Sequence, residues 1–111
     1  MLTIDALRTY GADVDEALVR CMNMENFYLK LVEKAKEDDK LSLLAMQIRE
    51  KDYAAAFETA HALKGMYANL SLTPLTKPVS EMTELLRSGT DTDYSALIEE
   101  AAAQFERLCS L

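Results

Sequence analysis

The sequence predicts an all-α protein, an antiparallel up-down four-helix bundle with short N-terminal helices covering one end. Three observations carry this expectation. Apolar residues recur at helical spacing along the whole chain, no segment alternates convincingly in the manner of a half-buried strand, and the periodic segments are joined by short polar breaks. At 111 residues the chain has the length of one compact unit with one core, so residues 1–111 are read as a single domain.

The helices can be placed from their start and stop signals. Thr3 caps a short helix from Ile4 to Tyr10, which Gly11 ends by taking the left-handed conformation. A second begins after Asp13, with Glu16 as its capping-box partner and Val14, Leu18 and Cys21 on one side. From Met24 to Lys36, Phe27, Leu31, Val32 and Ala35 form an inward stripe. Asp39 is expected to cap the next helix, whose stripe is Leu41, Leu44, Ala45 and Ile48; Glu50-Lys51-Asp52 breaks it. A longer helix follows from Tyr53 to about Leu70. Thr73 should cap the next, with Pro74 in its first position and Gly89 after its end. Pro78 lies within that segment and predicts a kink, or a start delayed to Lys77, because proline lacks a backbone donor and crowds the preceding turn. The last helix runs from about Tyr94 to Leu108, with Leu97, Ile98, Ala101, Phe105 and Leu108 inward.

Composition narrows the function. The net charge of −7 argues against nucleic acid, which demands clustered cations, and against an anionic membrane surface. The N-terminal residues show no basic stretch followed by an apolar one, and no apolar run reaches the roughly 20 residues of a membrane helix. A cytoplasmic location is expected, with Cys21 and Cys109 reduced. The six methionines are expected to fill the core, and the acidic surplus to form a solvated face. A monomer is expected, since the helices can close their own core.

His61 is the one histidine, near the middle of the Tyr53–Leu70 helix. At 100° per residue, Ala56, Thr59, Leu63, Met66 and Leu70 form the opposite, core-facing stripe, while Ala54, Phe57, Glu58, Lys64, Gly65 and Ala68 share the side of His61. The imidazole should therefore face solvent. Taken alone, a surface histidine is commonly incidental. Lys64, one turn on, could offset negative charge on the imidazole, although an ordinary surface residue would be placed identically. Gly65 is more informative: glycine within a helix costs about 1 kcal/mol relative to alanine, and no helix end is expected there. With Ala54 and Ala68 it leaves a shallow surface that another protein could approach. Phe57 reads equally well as a rim contact for that protein or as a residue packed under a neighbouring helix.

The run Ala60-His61-Ala62-Leu63-Lys64-Gly65-Met66-Tyr67-Ala68-Asn69-Leu70 resembles the A-H-x-L-K-G-x-x-x-N-L signature of histidine phosphotransfer domains. Similarity extends to Asn26–Leu29 and to the Lys51-Asp52-Tyr53 turn. The resemblance implies that His61 is phosphorylated on a ring nitrogen, that Lys64 steadies the phosphoryl charge, and that Gly65 admits a response-regulator receiver domain. Ala54, Phe57, Glu58 and Ala68 become candidate partner contacts. Two departures stand out: Ser71 occupies a position where many members have glycine, and Pro78 interrupts a helix that is usually unbroken.

A neutral imidazole is a competent nucleophile near neutral pH, whereas phosphoryl transfer needs in-line positioning and compensating cations. The sequence offers no nucleotide loop, no bound cofactor and no metal site of its own, so the receiver is expected to bring Mg²⁺ and the acceptor aspartate. The chain is thus read as a phosphocarrier and not as an enzyme, exchanging phosphoryl groups between receivers, with a histidine kinase as a further partner. Two alternatives remain open: the phosphoacceptor of a chemotaxis-type kinase, and a helical interaction module that is not phosphorylated. Glu58-Thr59-Ala60-His61 also has the E-x-x-H spacing of di-iron bundles, but one copy on an outward face does not supply that ligand set.

Overall fold

A computed structural model describes all residues from 1 to 111. The chain forms seven helices and no strand: α1 (Ile4–Tyr10), α2 (Val14–Arg20), α3 (Glu25–Glu37), α4 (Lys40–Arg49), α5 (Tyr53–Asn69), α6 (Thr73–Arg87) and α7 (Ser95–Cys109). α5 packs between α4 and α6, α7 lies along α6, and α7 closes the bundle by returning to α3 and α4. Three-residue connections at 50–52 and 70–72 make α4, α5 and α6 antiparallel neighbours. One core runs from Leu2 to Leu108, so the N-terminal helices share the apolar interior of the bundle.

Most boundary signals act as read. The Thr3 hydroxyl accepts from the Ala6 amide at 3.1 Å. Gly11 has φ 115°, a conformation that favours glycine, and a Cβ there would crowd Cγ of Pro74 at 3.0 Å. Asp52 caps α5 by accepting from the Ala55 amide at 3.3 Å.

Five expectations are corrected. In α3 the inward stripe is Tyr28, Val32 and Ala35, while Phe27 is 46% exposed; the Tyr28 hydroxyl donates to the Leu70 carbonyl at 2.8 Å, giving a polar tip a buried acceptor that phenylalanine could not use. Asp39 makes no side-chain cap; Asp38 accepts from the Lys40 amide at 2.8 Å instead. Thr73 is already inside α6 and Leu72 is its cap residue, because Leu72 is wholly buried and draws the chain inward one residue earlier. Of the two outcomes expected at Pro78, the delayed start is overturned: α6 begins at Thr73 and not at Lys77, running through Pro78 to Arg87. Of the methionines, Met82 is buried, but Met1, Met22, Met24 and Met46 are exposed; three of these lie at the chain start or in the α2–α3 turn, where no neighbouring element covers them.

The capping box at α2 is half formed. Asp13 accepts from the Glu16 amide at 3.2 Å, but the Asp13 amide donates to the Ser71 carbonyl at 3.0 Å. The Glu16 carboxylate serves a different purpose: it accepts from Arg20 at 3.0 Å and from the Ser71 hydroxyl at 3.2 Å. Arg20, and after it Ser71, hold the Glu16 carboxyl below its usual range. Arg20 also donates to the Asn69 carbonyl at 2.9 Å, to the Ala68 carbonyl at 3.1 Å and to the Ser71 hydroxyl. A cation thus satisfies the last carbonyls of α5, where the helix dipole is negative. Ser71 itself has φ 54°, which explains why glycine suits this turn. Serine tolerates the strain here while its hydroxyl ties α5 to α2.

Two outcomes follow for stability. Ser71→Ala keeps the left-handed strain and loses the hydroxyl bonds, so urea denaturation should show a loss of about 1–2 kcal/mol. Ser71→Gly should lie about 1 kcal/mol above the alanine variant because it relieves the backbone. A second outcome concerns alkali. Burial pushes the Tyr28 hydroxyl from 10.0 up to about 12, and burial also raises Tyr10 and Tyr67. The unfolded chain therefore ionises first and the folded state binds more protons, so stability should hold below pH 10 and fall as pH rises from 10 to 12. Urea midpoints measured across that range check the sign.

Candidate functional site

The site is one side of α5. Its inward residues Ala56, Thr59, Ala60, Leu63 and Tyr67 are buried, and the Thr59 hydroxyl is satisfied by the Ala55 carbonyl at 3.2 Å. On the other side Ala54, Glu58, His61, Gly65 and Ala68 are exposed, with Phe57 and Lys64 half-buried. Ala54 and Ala68 lie two turns before and after His61, about 10 Å along the axis in each direction. The imidazole thus stands at the centre of a low surface built from small residues.

Gly65 has neither a positive φ nor a neighbour that requires it: a Cβ built there meets no atom within 4 Å. Its φ is helical, inside α5. Nothing within the chain accounts for the propensity that glycine forfeits at this position.

Phe57 packs partly under its neighbouring helix, as one of its two readings expected. Its ring stacks on the His61 ring, with centroids 5.7 Å apart and planes inclined by 27°, while α6 supplies the Arg87 guanidinium 5.0 Å from the phenylalanine centroid. The ring packs on the core and still touches the imidazole. Lys64 has its ammonium 3.7 Å from Glu84 Oε1, and Arg87 Nε lies 3.4 Å from Glu84 Oε2. Glu84 and Arg87 were not legible as site residues: they are over 20 positions from His61, and an i,i+3 acid–base pair is common on any helix surface.

No group of three or more His, Cys, Asp or Glu side chains converges in a way that could hold a metal ion. Glu58 and His61 both point away from the bundle interior, which removes the geometric basis for a di-iron centre. The largest groove, about 520 Å³ between the end of α3, α4 and α7, lies elsewhere and is not lined by His61. His61 itself stands exposed on the surface of α5. The two cysteines are free, Cys21 buried and Cys109 exposed, and no helix is long and apolar enough to cross a membrane.

Residues 30–111, the greater part of the chain, match the family model described as Hpt domain. The chain belongs to the Hpt domain family. Hpt domains carry out histidine phosphotransfer in phosphorelays, act in general as phosphocarriers, and interact with receiver domains and kinases of two-component systems. No curated protein and no solved structure matches the chain. The matched part of the Hpt domain contains α4 to α7, including the whole of α5, whereas α1 and α2 precede it. Those two helices nevertheless join the core and, through Arg20, the last turn of α5.

Filling the vacancy at Gly65 should help the isolated Hpt domain fold. Gly65→Ala is expected to raise its stability by about 1 kcal/mol, read by chemical denaturation; a loss would show that the glycine serves the chain's own packing.

Proposed function

We propose that this Hpt domain is a phosphocarrier that accepts a phosphoryl group on His61 from a receiver-domain aspartyl phosphate and returns it to another receiver, with residues 1–111 acting as one unit. The observation that carries this reading is the pairing of an exposed imidazole with an interior helical glycine that nothing inside the chain requires. A catalytic partner has to come close, because the phosphorus must lie in line between a ring nitrogen and a carboxylate oxygen. Each methylene added to the helix surface beside His61 would hold it off.

In the forward step the unprotonated ring nitrogen attacks phosphorus with its lone pair. The N–P bond forms as the P–O bond to the aspartate breaks, the bonding pair leaves with the carboxylate, and the other ring nitrogen keeps its proton. Reversal delivers the group to the next aspartate. The ammonium of Lys64, one turn from His61, can pair with the phosphoryl oxygens once they arrive. Mg²⁺ would be held by the receiver, beside its own aspartate, and compensates charge on the moving oxygens when bound. Ala54, Glu58 and Ala68 would form the floor of the contact and Phe57 its edge.

The test is transfer from a receiver labelled with ³²P. Label should appear on the wild-type chain, be absent from His61→Gln, and be labile to acid but stable to base. Lys64→Ala should slow transfer about tenfold or more, in keeping with loss of a charge-assisted contact worth about 1.5–3 kcal/mol. Gly65→Leu should abolish transfer from the receiver while leaving the fold intact by circular dichroism. Label supplied only by a kinase domain would favour a chemotaxis-type phosphoacceptor, and no label from either source would leave an interaction module.

A further inference from the structure

Lys64 is not waiting free for a phosphoryl group. Its ammonium lies 3.7 Å from Glu84 Oε1, on the adjacent helix, with 35% of the lysine side chain and 60% of the glutamate exposed. The same carboxylate faces a second cation through its other oxygen, Arg87 Nε at 3.4 Å. Arg87 leads back to the site, since its guanidinium lies 5.0 Å from the Phe57 ring centroid, and that ring stacks on His61 at 5.7 Å. A circuit of contacts therefore runs from Lys64 through Glu84, Arg87 and Phe57 to His61, and α5 closes it in one turn.

We propose that Glu84 is the resting counterion of Lys64 and is exchanged for the phosphoryl group when His61 is phosphorylated, so that Glu84 sets how firmly this chain holds its cargo. The inference rests on His61 being the phosphoacceptor. Three features support the exchange. The Lys64–Glu84 contact is longer than a charge-assisted hydrogen bond of about 2.7–2.9 Å, so little geometry is lost on leaving it. A phosphoryl group carries about −1.5 to −2 charge against one negative charge on Glu84, and it would attract the ammonium more strongly. After the exchange Glu84 keeps Arg87, so no carboxylate is left without a cation. Partial exposure of both side chains keeps the contact weak, and the competition is expected to change the phosphorylation equilibrium about two- to fivefold.

Charged groups beside the imidazole also include Glu58, an exposed carboxylate three residues before it on α5, and Arg87 of α6, which lies over the Phe57 ring. Removing Glu84 could therefore act in two ways: by releasing Lys64, or by lowering the general negative field. A double-mutant cycle separates them. N-phosphorylimidazole exchanges its phosphoryl group with the imidazole of His61, one P–N bond breaking as another forms, and needs no receiver. ³¹P NMR at equilibrium with free imidazole measures the ratio of phosphorylated to free chain.

Glu84→Gln should raise that ratio about two- to fivefold in the wild-type background and leave it unchanged, within measurement, in a Lys64→Ala background. An equal rise in both backgrounds would assign the effect to the field alone and overturn the exchange, as would no rise in the wild type. Circular dichroism of each variant checks that these surface changes leave the fold in place. Failure of every receiver to label His61 would end the relay reading separately, because the chemical donor bypasses the receiver.

Discussion

Everything at the site depends on α5 having two faces at once. Its inner face, built from Ala56, Ala60, Leu63 and Tyr67, meets α4 and α6 and is sealed from water. Its outer face carries His61 with the exposed Ala54, Glu58, Gly65 and Ala68 over about four turns. A helix packed along one side only must be held by that side and by its ends. Asp52 ties down the first turn, and Arg20 reaches across from α2 to the last carbonyls. Small residues occur on both sides: Ala56 and Ala60 are buried in the packing, and Ala54, Gly65 and Ala68 are exposed.

The bundle was legible because each helix announces itself locally. Thr3, Gly11, Asp13 and Gly89 mark ends through their own chemistry, and the 3.6-residue period marks inner faces. The outward placement of His61 and the inward placement of Leu63 followed from the same arithmetic. What escaped was decided by partners distant in sequence. Phe27 and Tyr28 occupy adjacent positions with similar hydrophobicity, and only the Leu70 carbonyl at the end of α5 selects the tyrosine. Asp39 was read as the cap, but its neighbour Asp38 is the carboxylate that meets Lys40, through both its amide and its ammonium. Around His61, which positions of α5 face outward was legible, while Glu84 and Arg87 became visible only when α6 was laid beside α5.

The family match begins at residue 30, yet the preceding helices are fused to the rest of the molecule. Leu7, Tyr10, Val14 and Ala17 belong to the common core, and Glu16 and Arg20 hold the turn at Ser71. Ser71, the departure from the signature's usual glycine, stands in this turn with a positive φ. The departure is accommodated by a neighbour: where glycine would relieve the backbone, serine accepts the strained conformation and returns a hydroxyl to the ion pair. The N-terminal helices thus help to secure the end of the helix whose middle carries the histidine.

The exposure of His61 has a further consequence in time. A phosphoryl group held in a closed cleft can be shielded from water by the protein, but one standing on an open helix face is solvated on most sides. Its persistence would then be governed by the intrinsic chemistry of a phosphoramidate, with nearby cations adjusting it only modestly. Such a carrier behaves as a leaky store: a message not collected by the next partner drains into water, and the signal contains its own expiry.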